Sequence, residues 1–89
     1  SVRVTDAVPT ITISSSELQD GIPVAELFLR VGLVRSRSEA RRLIEQGGAY
    51  LNGERVSSVD QVIGLDAVHD GMVLLRAGKK RHHCITVNG

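Results

Sequence analysis

A chain of 89 residues supports one domain around one modest core. Hydrophobic residues make up 42%, too many for a disordered tail, but only Phe28 and Tyr50 are aromatic; the core must therefore be aliphatic, and RNA readers built on several aromatic platforms are disfavoured. A net charge of +1 hides a segregation: six Arg face three Glu between Arg30 and Arg55, four cations and no acid lie between Arg76 and His83, and Arg3 stands against seven acids elsewhere. Separation of this kind is the electrostatic footprint of a polyanion binder.

Residues 1–8 have no clear period and read as a linker or frayed N-terminus, leaving 9–89 as the domain. Pro9 to Ile13 alternates, with Ile11 and Ile13 on one side, and predicts a short strand that Pro9 can open because no ladder donor is needed there. Ser14-Ser15-Ser16 breaks the pattern. A first helix is expected from Pro23, since proline suits a first helical turn, with Asp20 upstream as a cap. Val24, Ala25, Leu27, Phe28, Leu29 and Val31 leave only Glu26 and Arg30 polar, four apart and able to pair. Such a helix must be buried on most sides, and Gly32 is placed to end it in a left-handed conformation.

The second helix carries the clearest start signal. Ser36 can cap it, and Glu39 three residues on completes a capping box. Ala40, Leu43 and Ile44 form one apolar stripe, and Gly47-Gly48 stops the helix. At about 100° per residue, Arg37 and Arg41 fall on one flank, while Arg42 lies on the other side of Glu45.

Asn52-Gly53 predicts a two-residue hairpin, since both turn positions need positive φ. The register pairs Leu51 with Glu54, Tyr50 with Arg55 and Ala49 with Val56. Tyr50 and Arg55 then share one face, as a cation–π pair or as a ledge beside RNA. Ser57 to Asp70 is weakly patterned, either a short strand or a helical turn, with Val59, Val62, Ile63, Leu65 and Val68 expected in the core. Met72 to Leu75 reads as a strand, Gly78 as a turn, and Cys84 to Val87 as a returning strand. The basic run Lys79-Lys80-Arg81-His82-His83 sits at that junction.

Catalysis is not expected. The only nucleophile candidate is Cys84 beside His82 and His83, and neighbours on a strand point to opposite faces. A metal site needs about four ligands, and His69 is remote in sequence. No glycine loop followed by Lys is present to cradle a phosphate, so no cofactor is expected. No apolar run approaches bilayer length, and the N-terminus lacks a basic-then-apolar signal. A single cysteine excludes an internal disulfide framework, and a reducing, cytoplasmic setting is the expectation. A first residue of Ser suits a fragment or a processed product.

The arginine helix is the sharper candidate. Arg donates two hydrogen bonds at once through its planar fork, which suits phosphate. The capped helix N-terminus favours an anion, and Arg35 and Arg37 flank it.

The stretch GIPVAELFLRVGLVRSRSEARRLIEQGGAYLNGERV, from Gly21 to Val56, resembles the RNA-binding domain named after small-subunit ribosomal protein four. The shared pattern is a short apolar helix, S-x-x-E-A-R-R-L-I, G-G, then a strand with N-G. The Pro9-Thr10 strand, the GIP helix entry and the closing Gly78-Lys79-Lys80-Arg81 resemble the C-terminal domain of bacterial tyrosyl–tRNA synthetases. That resemblance implies an α+β fold: a small mixed sheet of about five short strands with two main helices packed on one side. It also implies a partner, tRNA for tyrosine, gripped at its long variable arm and anticodon stem. The catalytic domain would lie elsewhere in a homodimeric parent, since HIGH-like and KMSKS-like signatures are absent here. Carried over by position, RNA contacts are implied for Arg35, Ser36, Arg37, Arg41 and Arg42, for Asn52 and Arg55 of the hairpin, and for Lys79, Lys80 and Arg81 of the basic turn. Pseudouridine synthases and a ribosome-associated heat-shock protein use the same small fold, usually near the N-terminus. A chain ending soon after its last strand fits a C-terminal position better. A structural domain without an RNA role is the third reading, and the charge segregation weighs against it.

Overall fold

Alternating and helical apolar patterns resolve into two sheets and three α-helices in a computed structural model that describes residues 10–89. Pro9 and the expected linker over 1–8 lie outside the described residues. The elements are β1 (Thr10–Ser14), α1 (Ser15–Asp20), β2 (Ile22–Pro23), α2 (Val24–Arg30), α3 (Arg37–Glu45), β3 (Ala49–Leu51), β4 (Glu54–Arg55), β5 (Val62–Ile63), a 3-10 turn (Leu65–Ala67), β6 (Met72–Ala77) and β7 (Arg81–Asn88). The main sheet has the order β1-β7-β6-β3-β4. It is mixed, because β1 pairs parallel to β7 while the other pairs are antiparallel. This is the expected α+β class.

The core is aliphatic, as two aromatics dictate. Leu18 of α1, Val24, Leu27 and Phe28 of α2, and Ala40 and Ile44 of α3 meet Ile13, Ala49, Val73, Leu75, Ala77 and Ile85 from the sheet. Burying each large apolar side chain contributes about 1.5–3 kcal/mol. Strand β6 shows how the sheet divides its faces: Val73, Leu75 and Ala77 are buried, whereas Met72, Leu74 and Arg76 alternate with them.

Three local readings are corrected. A short helix, α1, follows the first strand where the serine run only signalled a break. Ser14 caps it by accepting from the Glu17 N–H at 3.3 Å. One apolar residue, Leu18, in six positions is too little periodicity to announce a helix. Asp20 is therefore the last residue of α1 and not the cap of the next helix, which Pro23 enters with no side-chain cap. In the weakly patterned segment, Ile63 is buried, but Val62 is 60% and Leu65 44% exposed. For Val62 the cause is a two-stranded sheet, in which β5 pairs with β2 through Ile22–Ile63 and Pro23–Val62, whereas Leu65 opens the 3-10 turn that follows. A single such pair covers only one of its faces.

The hairpin follows the expected register, with Tyr50 opposite Arg55 and Leu51 opposite Glu54. Asn52 and Gly53 take φ values of 51° and 86°, as that turn requires. Gly32 ends the first expected helix at φ 83°.

His83 points to the core side of β7, is 6% exposed, and its Nε2 has no hydrogen-bond partner among the described residues. Burial lowers its pKa below the ordinary 6.5. Between that lowered value and about 6.5, the unfolded chain binds more protons than the folded one. Stability should therefore fall as the pH drops below about 6.5. Denaturant midpoints at pH 7.5 and 5.5 should differ less for His83→Gln than for the parent chain; an equal difference would reject the assignment.

Candidate nucleic-acid interface

Helix α3 starts where its sequence signal places it. Ser36 Oγ accepts from the Glu39 N–H at 3.1 Å. The reciprocal bond is shifted by one residue: Glu39 Oε1 accepts from the N–H of Arg35, not of Ser36. The carboxylate thereby holds the residue ahead of the cap, and Arg35 enters the helix on a fixed backbone. Arg35, Arg37, Arg41 and Arg42 are all exposed.

Their charges are not equally free. The Arg37 guanidinium donates to Glu26 Oε1 on α2. Glu26 also lies 3.8 Å from Arg30, which in turn donates to Glu17 at 2.8 Å. The i,i+4 pairing of Glu26 with Arg30 is thus present, within a longer ladder Glu17–Arg30–Glu26–Arg37 that ties α1, α2 and α3 together. Exposed pairs of this kind contribute about 0–1 kcal/mol each. With its side chain 71% exposed, Arg37 can exchange Glu26 for a phosphate at little cost. No carboxylate lies within ion-pairing distance of Arg35, Arg41 or Arg42 among the described residues.

The second basic segment folds against the first. Lys79 and Lys80 sit exposed in the turn after Gly78, whose N–H donates to the Gly48 carbonyl at 2.7 Å, just past the end of α3. Arg81 follows on the core-side register of β7, opposite Ala77. From there its guanidinium reaches the loop between α2 and α3 and donates to the Leu33 carbonyl at 2.7 Å. Arg81, Arg42, Glu39 and Gln46 line a common cavity of about 250 Å³. Two clusters separated by some forty residues of sequence thus form one surface.

The hairpin residues play different parts. Both ends of the Asn52 side-chain amide are engaged internally: Nδ2 donates to the Ala67 carbonyl at 2.7 Å and Oδ1 accepts from the Leu74 N–H at 2.9 Å. Arg55 lies exposed at the sheet edge, against Gly47. A Cβ at Gly47 would come within 3.2 Å of its Cδ, so the glycine makes room for the arginine as well as ending the helix. The cation over Tyr50 is not Arg55 but Arg76, at 3.9 Å from the ring centroid. Register sets a cation on each side of Tyr50, Arg55 on one strand and Arg76 on the other, and Arg55 instead lies against Gly47. Arg76 was absent from the residues implied by resemblance. The signal available was its place in the alternation of β6, two positions before Gly78.

No group of three or more His, Cys, Asp or Glu could hold a metal among the described residues. Cys84 is a free thiol, fully buried, with its pKa raised by that burial. No helix of the described residues is long and apolar enough to cross a membrane.

The fold and this site define a small α+β module in which the basic turn after β6 is tied to the arginine-bearing start of α3. Residues 2–85 match the family model described as the tyrosine–tRNA ligase SYY-like C-terminal domain, and the chain belongs to that family. It is 44% identical over 86 residues to a tyrosine–tRNA ligase of Desulfatibacillum aliphaticivorans, covering 97% of this chain and 20% of the relative. It is 47% identical over 77 residues to that of Treponema denticola, covering 85% of the chain and 19% of the relative. A tyrosine–tRNA ligase of Treponema pallidum is 49% identical over 76 residues, 84% of the chain and 19% of the relative. The chain thus spans about a fifth of the length of these curated relatives. Among the alternatives that share the small fold, the family match selects the synthetase appendage.

Removing the Arg81 guanidinium leaves the Leu33 carbonyl without its charged donor. Arg81→Ala should lower unfolding stability by about 1.5–3 kcal/mol, the range for a hydrogen bond from a charged group. Urea denaturation measures it, and a change below about 0.5 kcal/mol, typical of plain surface substitutions, would show the bond to be idle.

Proposed function

We propose that this chain is the tRNA-binding appendage of a tyrosine–tRNA ligase. It grips the long variable arm and anticodon stem of tRNA for tyrosine, while a catalytic domain elsewhere in a homodimeric, cytoplasmic parent carries out tyrosylation. The observation that carries the reading is the Arg81–Leu33 bond, which joins the Lys79-Lys80 turn to the arginine-bearing start of α3. A face that only needed solvation would not require two like-charged segments to be held together. Like charges brought side by side repel, so their convergence is favoured when a polyanion neutralises them.

Within this reading, Arg35, Arg37, Arg41, Arg42, Lys79 and Lys80 supply charge to phosphates, with Arg55 at the hairpin edge and the Ser36-capped N-terminus adding backbone donors. Arg81 and Asn52 act at one remove, the first by positioning the loop before α3 and the second by holding the hairpin to β6. Recognition through phosphates and the shape of a folded RNA suits a surface with many cations and few aromatic side chains. The resemblance to synthetase appendages, supported by the family membership, favours the variable arm as the element gripped.

The test is a titration against tRNA for tyrosine and against a short-armed tRNA at several salt concentrations. Affinity should fall as salt rises, because bound counterions are released. Arg41→Ala should reduce the salt slope by about one, the value for one lost phosphate contact. Asn52→Ala should lower stability by about 1–3 kcal/mol through unpaired backbone groups and leave the slope unchanged. A salt-independent affinity would reject RNA binding. Equal affinity for the two tRNAs would keep RNA binding and remove the variable arm.

A further inference from the structure

Strand register sets Tyr50, Arg76 and His82 side by side on β3, β6 and β7. The row lies on the face of the sheet opposite the core, since Arg76 alternates with the buried Leu75 and Ala77. With strands about 4.8 Å apart, it runs roughly 10 Å across the sheet. Arg76 stacks over the Tyr50 ring at 3.9 Å, and both side chains remain half-exposed. A guanidinium seated over one ring can stack a further planar group on its outer face. Leu74, 44% exposed on the same face, adds apolar surface beside it. Among the described residues, the positions of β1, β3, β6 and β7 that share this face carry no carboxylate. His82 joins the row to the basic turn, its Nδ1 lying 3.1 Å from the Lys80 carbonyl oxygen.

We propose that this row is a stacking site for an unpaired nucleotide of the RNA. The proposal rests on the reading of the domain as a tRNA binder and adds a second surface to it, distinct from the start of α3. The base stacks on the outer face of Arg76, which Tyr50 backs and orients, while the adjoining phosphate lies towards His82 and Lys80. A paired base is a poor occupant, because a duplex presents base edges and phosphates and keeps its π-faces covered. An apolar protein surface is a poor occupant too, because it would bury Arg76 without a counter-charge. An unpaired nucleotide brings a π-face and a negative charge together, which is what the row lacks. The aromatic poverty of the chain still excludes a multi-base platform, so one stacked base is the capacity.

Tyr50 is the only tyrosine and the chain has no tryptophan, so the intrinsic fluorescence of the protein reports on this site. The probes are hexauridylate, hexaadenylate and an RNA hairpin with a fully paired stem. Both hexamers should quench Tyr50 emission on binding, and the hairpin should bind without quenching it. Arg76→Ala should weaken hexamer binding on the order of tenfold, the size of one lost base stack, and Tyr50→Leu should weaken it in the same direction by leaving the guanidinium unbacked. Tyr50→Phe should keep affinity within about twofold, and neither Tyr50 change should alter hairpin affinity. Hexamer binding that leaves Tyr50 emission unchanged, or that survives Arg76→Ala, overturns the proposal. If the hairpin binds and the hexamers do not, the stacking site falls while the tRNA reading stands; if no RNA binds, both fall.

Discussion

Leu18, Leu27, Phe28, Ile63, Leu75 and Ile85 meet on one side of a five-stranded sheet and are almost wholly withdrawn from water. A chain with two aromatic residues has few ways to bury enough apolar area, and most of the aliphatic side chains among the described residues pack into this one core. The consequence reaches every other feature. Three short helices must lie on the core side, the alternation of each strand is set by that side, and the charged residues are left to the outer faces of the helices, the turns and the opposite face of the sheet. The cationic surface is what this packing leaves over, gathered by a few directed bonds.

Of those bonds, the one from Arg81 to the Leu33 carbonyl organises most. It uses a residue on the core-side register of β7, where a guanidinium can turn under the edge of α3 and meet a loop carbonyl. The same residue type in the same cluster thus has two roles. Arg41 and Arg42 face solvent on a helix, and Arg81 braces the loop from which that helix starts. Arg37 is intermediate, pairing with Glu26 at the end of a four-member ion ladder that it can leave. Charge counting treats these four guanidinium groups as equals, whereas geometry sorts them by what they already hold.

The hairpin shows the same sorting in a smaller space. Asn52 is the residue its turn demands, and its amide bonds to Ala67 and Leu74 make it a bracket between the hairpin, the 3-10 turn and β6. Arg55 and Arg76 stand on either side of Tyr50 in the ladder, and only Arg76 covers the ring. Arg55 lies in the space that Gly47 leaves by lacking a side chain. Whether a cross-strand cation stacks on an aromatic ring therefore depends on what else is within its reach.

Features written in local periodicity or turn chemistry were legible from the residues themselves. They include α2 and α3, the Ser36 cap, the Asn52-Gly53 register, the central parts of β6 and β7, and the two basic segments, although β7 begins at Arg81 and takes in Arg81, His82 and His83 that the sequence placed at the turn. The Gly21–Val56 pattern added the small RNA-binding fold, and the flanking Pro9-Thr10, GIP and Gly78-Lys79-Lys80-Arg81 segments added the synthetase family. Each rests on contacts between residues a few positions apart, so a single stretch of sequence contains the information. Helix α1, the pairing of β2 with β5, the exposure of Val62 and Leu65, and the bonds of Arg81, Asn52 and Arg76 were not legible. All but α1 depend on partners far away in sequence, and α1 has too few apolar residues to show a period. The sequence by itself thus determined the two longer helices, the hairpin and the main strands, together with the aliphatic core and the separation of charge, because periodicity and composition are local. Only the tertiary structure decided which cations brace the fold and which remain free, because that depends on what each guanidinium can reach once the strands have paired.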